Sequence, residues 1–177
     1  MKTITGLKIV LLFSLMLWAL NVNAQEMPEL DKAYTFTLHT SSGNAIGRTA
    51  TEVRQAMGTP TQETEQHFGD VGFGTLITIT YGVSELHFYE DFGFRYHYVE
   101  IKDQAIVARV NGVDIRVGNL ADELGEHFPK SWAVKLSDTN PETKNYLSIE
   151  VSEVEFIDIL MDSNGIVQSI IYWMRLT

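Results

Sequence analysis

The sequence predicts an α+β fold in which two tandem units, each a short helix followed by an antiparallel sheet, form one compact body. Apolar and polar residues alternate with a period of two over most of the chain, which is typical of strands with one buried face. Helical signals are confined to two short segments, and these segments match each other at an offset of 71 residues. Such a match predicts a duplicated unit.

The first 24 residues predict a cleaved export signal. Lys2 and Lys8 form a basic start, residues 9–20 form an apolar run, and Ala24 ends a cleavage site of small side chains. An uncleaved anchor is the alternative, but about twelve residues of helix span only ~18 Å of a ~30 Å hydrocarbon layer. We therefore expect a periplasmic or secreted protein without membrane insertion after cleavage.

The chain predicted to remain after cleavage, residues 25–177, is strongly acidic. The full chain has a formal net charge of -10, and loss of the two lysines of the signal leaves -12. Phosphate backbones and anionic lipids repel such a surface, so we expect no nucleic acid partner. The chain has no cysteine, which excludes disulfides, thiol catalysis and an acylated lipoprotein cysteine.

Nine segments carry strand signals. They are residues 33–40, 76–81, 85–90, 94–101, 105–110, 113–117, 146–151, 155–161 and 166–174. Short turns separate many of these segments, which indicates antiparallel meanders. The turn at Asn111-Gly112 fixes one register, because both residues tolerate the positive φ that a two-residue turn requires. It predicts the pairs Val110–Val113, Arg109–Asp114, Ala108–Ile115 and Ile106–Val117.

A second turn at Asn164-Gly165 predicts another hairpin by the same reasoning. Its expected pairs are Met161–Gln168, Ile159–Ile170 and Ile157–Tyr172. The residues between them, Phe156, Leu160, Ile171 and Trp173, make the other face apolar as well. We therefore expect this hairpin to be central in the sheet or covered by helices.

The two similar segments divide the chain into a first unit at residues 25–112 and a second at residues 113–177. At the offset of 71, Gly47 meets Gly118, Ala50 meets Ala121, Thr51 meets Asp122, Glu52 meets Glu123, Val53 meets Leu124 and Met57 meets Phe128. Each segment places two apolar residues four positions apart, on one face of a helix. Chance similarity is the alternative explanation.

Capping residues delimit the two predicted helices. Thr51 is a suitable N-cap for the first helix, and the segment 58–60, Gly-Thr-Pro, ends it. Asn119 or Asp122 starts the second helix, and Pro129 ends it. Both helices are short.

The first segment, residues 47–60, resembles the helix-and-turn segment of the SmpA/OmlA small outer-membrane lipoproteins, in which Gly-Met-Thr leads through Glu-Val to Leu-Gly-Thr-Pro. Arg48 replaces the first Met of that pattern, and Met57 stands where Leu is usual. With residues 118–131, the repeated helix-plus-sheet unit is similar to the secreted beta-lactamase inhibitor proteins. The chain lacks the acylated cysteine of the first family and the disulfides of the second. The resemblance implies a BLIP-like architecture for protein binding, without catalytic residues.

The sequence carries no catalytic signature. Its serines lie outside any Gly-x-Ser-x-Gly elbow, and its five histidines are scattered along the chain. We therefore expect neither an enzyme nor a cofactor.

One arrangement could hold a metal ion. If Asp91-Phe92-Gly93 forms a three-residue hairpin, His87 faces His97, with Glu85 on the same face. Two imidazoles and a carboxylate could share a zinc or copper ion. A slip of one residue in register would abolish the site, and half-buried sheet histidines are the alternative. The second functional hypothesis is accordingly a periplasmic protein that binds a metal or small ligand around His87 and His97.

Aromatic residues give the strongest indication of binding. Two phenylalanines lie among three glycines in the segment 68–74, and aromatic residues occupy both faces of the hairpin at 88–98. Such surfaces need cover, either from the protein's own helix or from a partner. The candidate partner-binding residues are Phe68, Phe73, Tyr89, Phe92, Phe94, Tyr96 and Trp132. The first functional hypothesis is an exported binding or inhibitory module for another envelope or extracellular protein.

Overall fold

The computed structural model describes residues 29–68, 74–135 and 145–175. The predicted export signal and Phe73 lie outside these residues. The predicted α+β class is wrong, because the described chain consists mostly of antiparallel strands in two sheets, with three short helices of eight, four and five residues. The reason is physical: helices this short cover only parts of a sheet and form no layer of their own, so one sheet packs on the other.

Seven strands form the larger sheet, and every neighbouring pair is antiparallel. Their spatial order is β3 (Gln62–His67), β4 (Thr75–Tyr81), β5 (Ser84–Tyr89), β6 (Arg95–Ile101), β11 (Val167–Met174), β10 (Glu155–Met161) and β9 (Asn145–Glu150). The smaller sheet has the order β2 (Ala45–Ile46), β1 (Phe36–Thr40), β7 (Ile106–Val110) and β8 (Val113–Ile115). The two sheets enclose one core.

Helix α1 (Ala50–Met57) begins two residues earlier than predicted, with its N-cap at Thr49 instead of Thr51. Its N-cap is Thr49, whose hydroxyl accepts the backbone N–H of Glu52 at 3.3 Å, while the Glu52 carboxylate accepts the backbone N–H of Thr49 at 2.9 Å. This reciprocal capping box satisfies two N–H groups that the first turn leaves free. The helix ends at Gly58 as predicted, where φ is +79°.

The second helical segment is split at Phe128. Helix α2 (Leu124–His127) covers four residues, and helix α3 (Pro129–Ala133) follows it directly. Pro129 therefore begins a helix instead of only ending one, since proline suits the first helical position, where no N–H donor is needed. No helix in the described ranges is long and apolar enough to cross a membrane.

The core lies between the two sheets. Phe36 of β1 stacks on Tyr172 of β11 with ring centroids 4.8 Å apart, and it meets the edge of Tyr96 at 6.4 Å. A row of side chains that are at most 2% exposed crosses the larger sheet: Ile79, Leu86, Val99, Tyr172, Ile157 and Ile149. Burial of each large apolar side chain contributes about 1.5–3 kcal/mol.

The first Asn-Gly turn sets the predicted register. Val110 pairs with Val113, Arg109 with Asp114 and Ala108 with Ile115. Strand β8 ends at Ile115, so the paired residues of this hairpin stop short of the predicted pair Ile106–Val117.

The second hairpin follows its predicted register only in part. The pairs Ile159–Ile170 and Ile157–Tyr172 are confirmed, and β11 is central in the sheet as expected. The predicted pair Met161–Gln168 is wrong, because a register shift after Leu160 pairs Met161 with Val167. An extra residue near the turn causes such a shift without changing the pairs farther along.

The offset of 71 residues also appears in the backbone contacts. Isolated bridges join Thr49 to Arg95 and, 71 residues later, Leu120 to Ile166. The following hydrogen bonds repeat at the same offset: Ala50 N–H to the Phe94 carbonyl, and Ala121 N–H to the Gly165 carbonyl. Part of the element order of the described chain recurs: two strands and a helical segment precede four strands in the first half and three strands in the second. The recurrence divides the chain between β6 and β7, whereas the predicted boundary after residue 112 falls inside the β7–β8 hairpin.

Candidate binding face

The seven-stranded sheet buries one face against the smaller sheet and turns the other face outward. We call this outer side the open face. Because side chains alternate along a strand, each row of paired residues belongs to one face. One open-face row runs through Thr64, Thr78, His87, Tyr98, Trp173, Phe156 and Glu150; the next runs through Gln62, Thr80, Glu85, Glu100, Ile171, Asp158 and Ser148.

Four neighbouring members of the first row form what we call the aromatic row: His87, Tyr98, Trp173 and Phe156. The rings of His87 and Tyr98 are 4.8 Å apart between centroids. Those of Phe156 and Trp173 stack at 4.9 Å. All four residues are half-buried. The two ring pairs lie on four adjacent strands, and the register pairs Tyr98 of β6 with Trp173 of β11, so they form an aromatic band across the middle of the sheet.

Asp158 fixes the orientation of Trp173. The indole Nε1–H donates to Oδ2 of Asp158 at 2.6 Å, and the Ser148 hydroxyl donates to Oδ1. Each carboxylate oxygen thus accepts a hydrogen bond from a neutral donor on a flanking strand. Within the described chain Asp158 has no cationic partner. The arrangement holds the indole in place and leaves the negative charge of Asp158 uncompensated.

Three carboxylates of the second row form what we call the carboxylate row: Glu85, Glu100 and Asp158. The Glu100 carboxylate lies 2.9 Å from the Lys102 ammonium, and the Glu85 carboxylate lies 3.4 Å from Nε2 of His87. Burial, followed by the charge and hydrogen bond of Glu100 and the charge of Glu85, raises the pKa of the Tyr98 hydroxyl to about 12. The Tyr98 hydroxyl is therefore protonated at neutral pH, in a negative electrostatic potential.

A second aromatic cluster lies at the end of the hairpin between β5 and β6. The rings of Tyr89 and His97 are 4.3 Å apart, Phe92 stacks on His97 at 6.2 Å, and Phe68 lies 6.4 Å from Tyr89. His97 is only 8% exposed, and its Nδ1 has no hydrogen-bond partner among the described residues. Burial lowers the pKa of the His97 imidazole, with the backbone of His87 acting in the opposite direction. Burial therefore favours the neutral imidazole.

The predicted pairing of His87 with His97 is wrong. The hairpin has Gly93 in the left-handed conformation, with φ +64°, and it pairs Tyr89 with Arg95 as a three-residue loop requires. A bulge then shifts the register, so His87 pairs with Tyr98. No group of three metal-ligating side chains occurs within the described ranges.

The same bulge explains the position of Tyr96. In a regular strand Tyr96 and Tyr98 would share one face, but the extra residue places Tyr96 in the core and Tyr98 on the open face. Tyr96 is 3% exposed and contacts Phe36 and Phe88. It is therefore a core residue, and its side chain is not on the surface of the described structure.

The other predicted partner-binding residues fall into two groups. Tyr89 and Phe92 are half-buried beside His97, and Phe68 is 39% exposed next to them. Phe94 and Trp132 are partly buried and pack against the core, with the Lys135 ammonium 4.1 Å from the centroid of the Trp132 ring. The structure thus brings only the first group together on one surface.

Sequence reasoning missed the aromatic row as a binding surface. The signal was present in the second hairpin, where Phe156 and Trp173 alternate with buried residues and make both faces apolar. Because the hairpin was expected to be central in the sheet or covered by helices, its outer face was not predicted to bind a partner. The main contacts of α1 and α3 with the larger sheet are instead to β4, next to one edge strand, and to β9, the other edge strand.

The chain matches no family model, no curated protein and no solved structure. The resemblance to the SmpA/OmlA lipoproteins and to the beta-lactamase inhibitor proteins therefore stays a prediction. The function has to be argued from the geometry of the open face.

Proposed function

We propose that the protein is an exported binding module that docks another envelope or extracellular protein on the open face. The observation that carries this proposal is the aromatic row, in which four half-buried rings lie side by side on adjacent strands. Tyrosine and tryptophan are enriched among the residues that dominate binding energy at protein interfaces. An aromatic surface of this kind favours a macromolecular partner over a small ligand, because its rings are spread over four adjacent strands.

The rigidity of the face supports the same proposal. Its central strands, β6 and β11, are hydrogen-bonded on both sides, and Trp173 is held by its hydrogen bond to Asp158. Ordering of a free side chain at an interface costs about 0.5–1.5 kcal/mol. A side chain that is already oriented avoids most of that cost. If the docked partner is an enzyme whose site becomes covered, the same binding makes the protein an inhibitor.

The alternative hypothesis, a metal or small-ligand site at His87 and His97, has no specific observation in its favour. His87 faces Tyr98, and His97 is enclosed by Tyr89 and Phe92.

Site-specific photo-crosslinking tests the proposed function. A photoreactive phenylalanine analogue replaces Thr78, a half-buried residue of the open face, or Thr37, an exposed residue of the smaller sheet, as the matched control. Illumination of the envelope fraction should give a defined crosslinked partner from position 78 and none from position 37. Equal crosslinking from both positions would show nonspecific capture and contradict the proposal.

The crosslinked partner is then purified and titrated with the unmodified protein and with a Trp173→Ala/Phe156→Ala variant. We expect the variant to bind at least about 30-fold more weakly, which corresponds to the ~2 kcal/mol typical of an interface hot spot. Circular dichroism and the urea midpoint control for folding. A folded variant that binds with unchanged affinity would exclude the open face as the docking site.

A further inference from the structure

The charge of the open face restricts the chemistry of its partner. The carboxylate row lies two residues along the strands from the aromatic row, which corresponds to about 7 Å, and neighbouring strands are about 4.8 Å apart. A side chain lying between the rows would therefore contact a ring and a carboxylate at the same time. The two rows run side by side across the central strands of the sheet.

The cations described on this face pair with only some of its carboxylates. Glu100 pairs with Lys102, and at the β9 edge Glu150 lies 3.6 Å from the Lys32 ammonium. Glu85 has only the imidazole of His87 beside it, which is charged only when protonated, and the described contacts of Asp158 are to neutral donors. Two carboxylates next to the aromatic row are therefore without a permanent positive charge.

We propose, on the basis of the proposed function, that the open face binds a cationic protein segment. Its arginine or lysine side chains lie over the aromatic row and place their charged ends at the carboxylate row. Cations are attracted to the faces of aromatic rings, most strongly to tryptophan. Arginine suits the site best, since its planar guanidinium stacks on a ring and also donates to a carboxylate in bidentate geometry.

Charge also argues against the other occupants of such a surface. Nucleic acid and anionic lipid would bring further negative charge to the carboxylate row. A second copy of this chain carries a formal net charge of -10, so face-to-face pairing would place like charges together. A basic segment of a different protein is the occupant whose charge complements the face.

The test uses two defined peptides of twelve residues, one alternating arginine with glycine and one alternating glutamate with glycine. Trp18 and Trp132 are replaced by phenylalanine so that Trp173 is the single tryptophan of the protein. The arginine peptide should change the emission of Trp173 with a saturable titration, and its affinity should fall as salt is raised. The glutamate peptide should produce no change. Identical responses to the two peptides would overturn the proposal.

Two charge-matched variants distinguish binding through the carboxylate row from attraction by the net charge of the protein. Glu85→Gln/Glu100→Gln removes two charges from the carboxylate row, and Asp114→Asn/Glu63→Gln removes two charges elsewhere. We expect at least a tenfold loss of affinity for the arginine peptide in the first variant and less than a twofold change in the second. Equal losses in the two variants would mean that only net charge attracts the peptide, and the proposal would fail.

The same variants distinguish this inference from the proposed function. If the crosslinked partner binds through Trp173 and Phe156 but is insensitive to Glu85→Gln/Glu100→Gln, the partner is not cationic at this face and only the inference fails. If neither pair of substitutions affects the partner, the proposed function fails as well.

Discussion

The outer faces of the two sheets differ in how their polar groups are satisfied. On the smaller sheet Thr37, Arg109 and Asp114 form one cross-strand row, and the Arg109 guanidinium donates to the Asp114 carboxylate at 2.6 Å. Arg116 lies 3.4 Å from the same carboxylate. The hydrogen bond from Arg109, together with the charges of Arg109 and Arg116, lowers the pKa of Asp114. Charges on this face thus have partners within it.

The open face has the opposite character. Its half-buried rings lie beside the carboxylates of Glu85 and Asp158, for which the described residues supply no permanent cation. The two sheets enclose the same core, so the stability of the core does not require their outer faces to differ. A surface that combines aromatic area with uncompensated charge is therefore a candidate binding site. A surface whose charges are paired with each other needs no partner to satisfy them.

The largest expected effect is a difference in stability between two variants of the same strand, one at a core residue and one at an open-face residue. Tyr96→Ala should lower the free energy of unfolding by about 3–5 kcal/mol, because it leaves a cavity between the sheets. Tyr98→Ala should cost less than about 1.5 kcal/mol, since Tyr98 lies on a half-exposed surface. Urea unfolding of the two variants measures both values. If the two losses are equal, the open face is covered and the comparison of faces is wrong.

The next largest effect is a difference in stability between two variants, each of which lacks one carboxylate from one of the two faces. Asp158→Ala leaves the Trp173 N–H and the Ser148 hydroxyl without their acceptor, and we expect a loss of about 1–3 kcal/mol in the free energy of unfolding. Asp114→Ala should cost much less, because solvent screens its exposed ion pair. Urea denaturation at neutral pH provides the comparison. A larger loss for Asp114→Ala would reverse the assignment of the two faces.

A smaller effect, a gain in the free energy of unfolding, is expected when His97 is replaced. His97→Phe removes a buried nitrogen that has no partner among the described residues, and it should raise the free energy of unfolding by about 1 kcal/mol. Because the folded-state pKa of His97 is lowered, its contribution to stability is present above its ordinary value of about 6.5 and is lost as pH falls through the folded pKa. The variant should therefore lose less stability between neutral and mildly acidic pH, as measured by urea unfolding across that range. A steeper decline in the variant would contradict this account.

The smallest effect is spectroscopic. The pKa of Tyr98 is raised to about 12, above the ordinary value of 10.0. Its contribution to stability is therefore complete below about 10 and is lost as pH rises towards 12. Tyr81, Tyr96 and Tyr172 also have raised pKa values, so ultraviolet titration is compared between variants. Tyr98→Phe should lose one late tyrosinate transition of the wild-type protein, and Glu100→Gln should shift that transition to lower pH. A transition unchanged in Glu100→Gln would show that this carboxylate does not act on Tyr98.

Local sequence signals predicted much of the strand framework. The turn at Asn111-Gly112 gave its three nearest pairs correctly, because a two-residue turn leaves only one register for the strands that follow it. The matching of residues 47–60 with 118–131 is accompanied by equivalent backbone contacts at the offset of 71. The fold class was wrong because short amphipathic segments indicate that helices exist but not whether they build a layer.

The candidate site was only partly predictable. Aromatic residues of the β5–β6 hairpin drew attention to Tyr89 and Phe92, which do lie beside the open face. The bulge could not be seen in the sequence, because no residue type marks it, and it placed Tyr96 and Tyr98 on opposite faces. The aromatic row itself joins β6 to β11, two strands that are distant in sequence, so no local pattern predicted that Tyr98 and Trp173 are neighbours.

The sequence by itself determined the alternation that makes strands, the Asn-Gly turns and the acidic charge, because each depends on residue type or on near neighbours. Only the tertiary structure decided which side of each strand is buried. The smaller sheet covers one face of the larger sheet, and the bulge in β6 resets which aromatic side chains point to that cover. Both the covering sheet and the bulge depend on contacts between distant parts of the chain. These contacts decide which aromatic residues of the β5–β6 hairpin lie in the core and which lie on the open face.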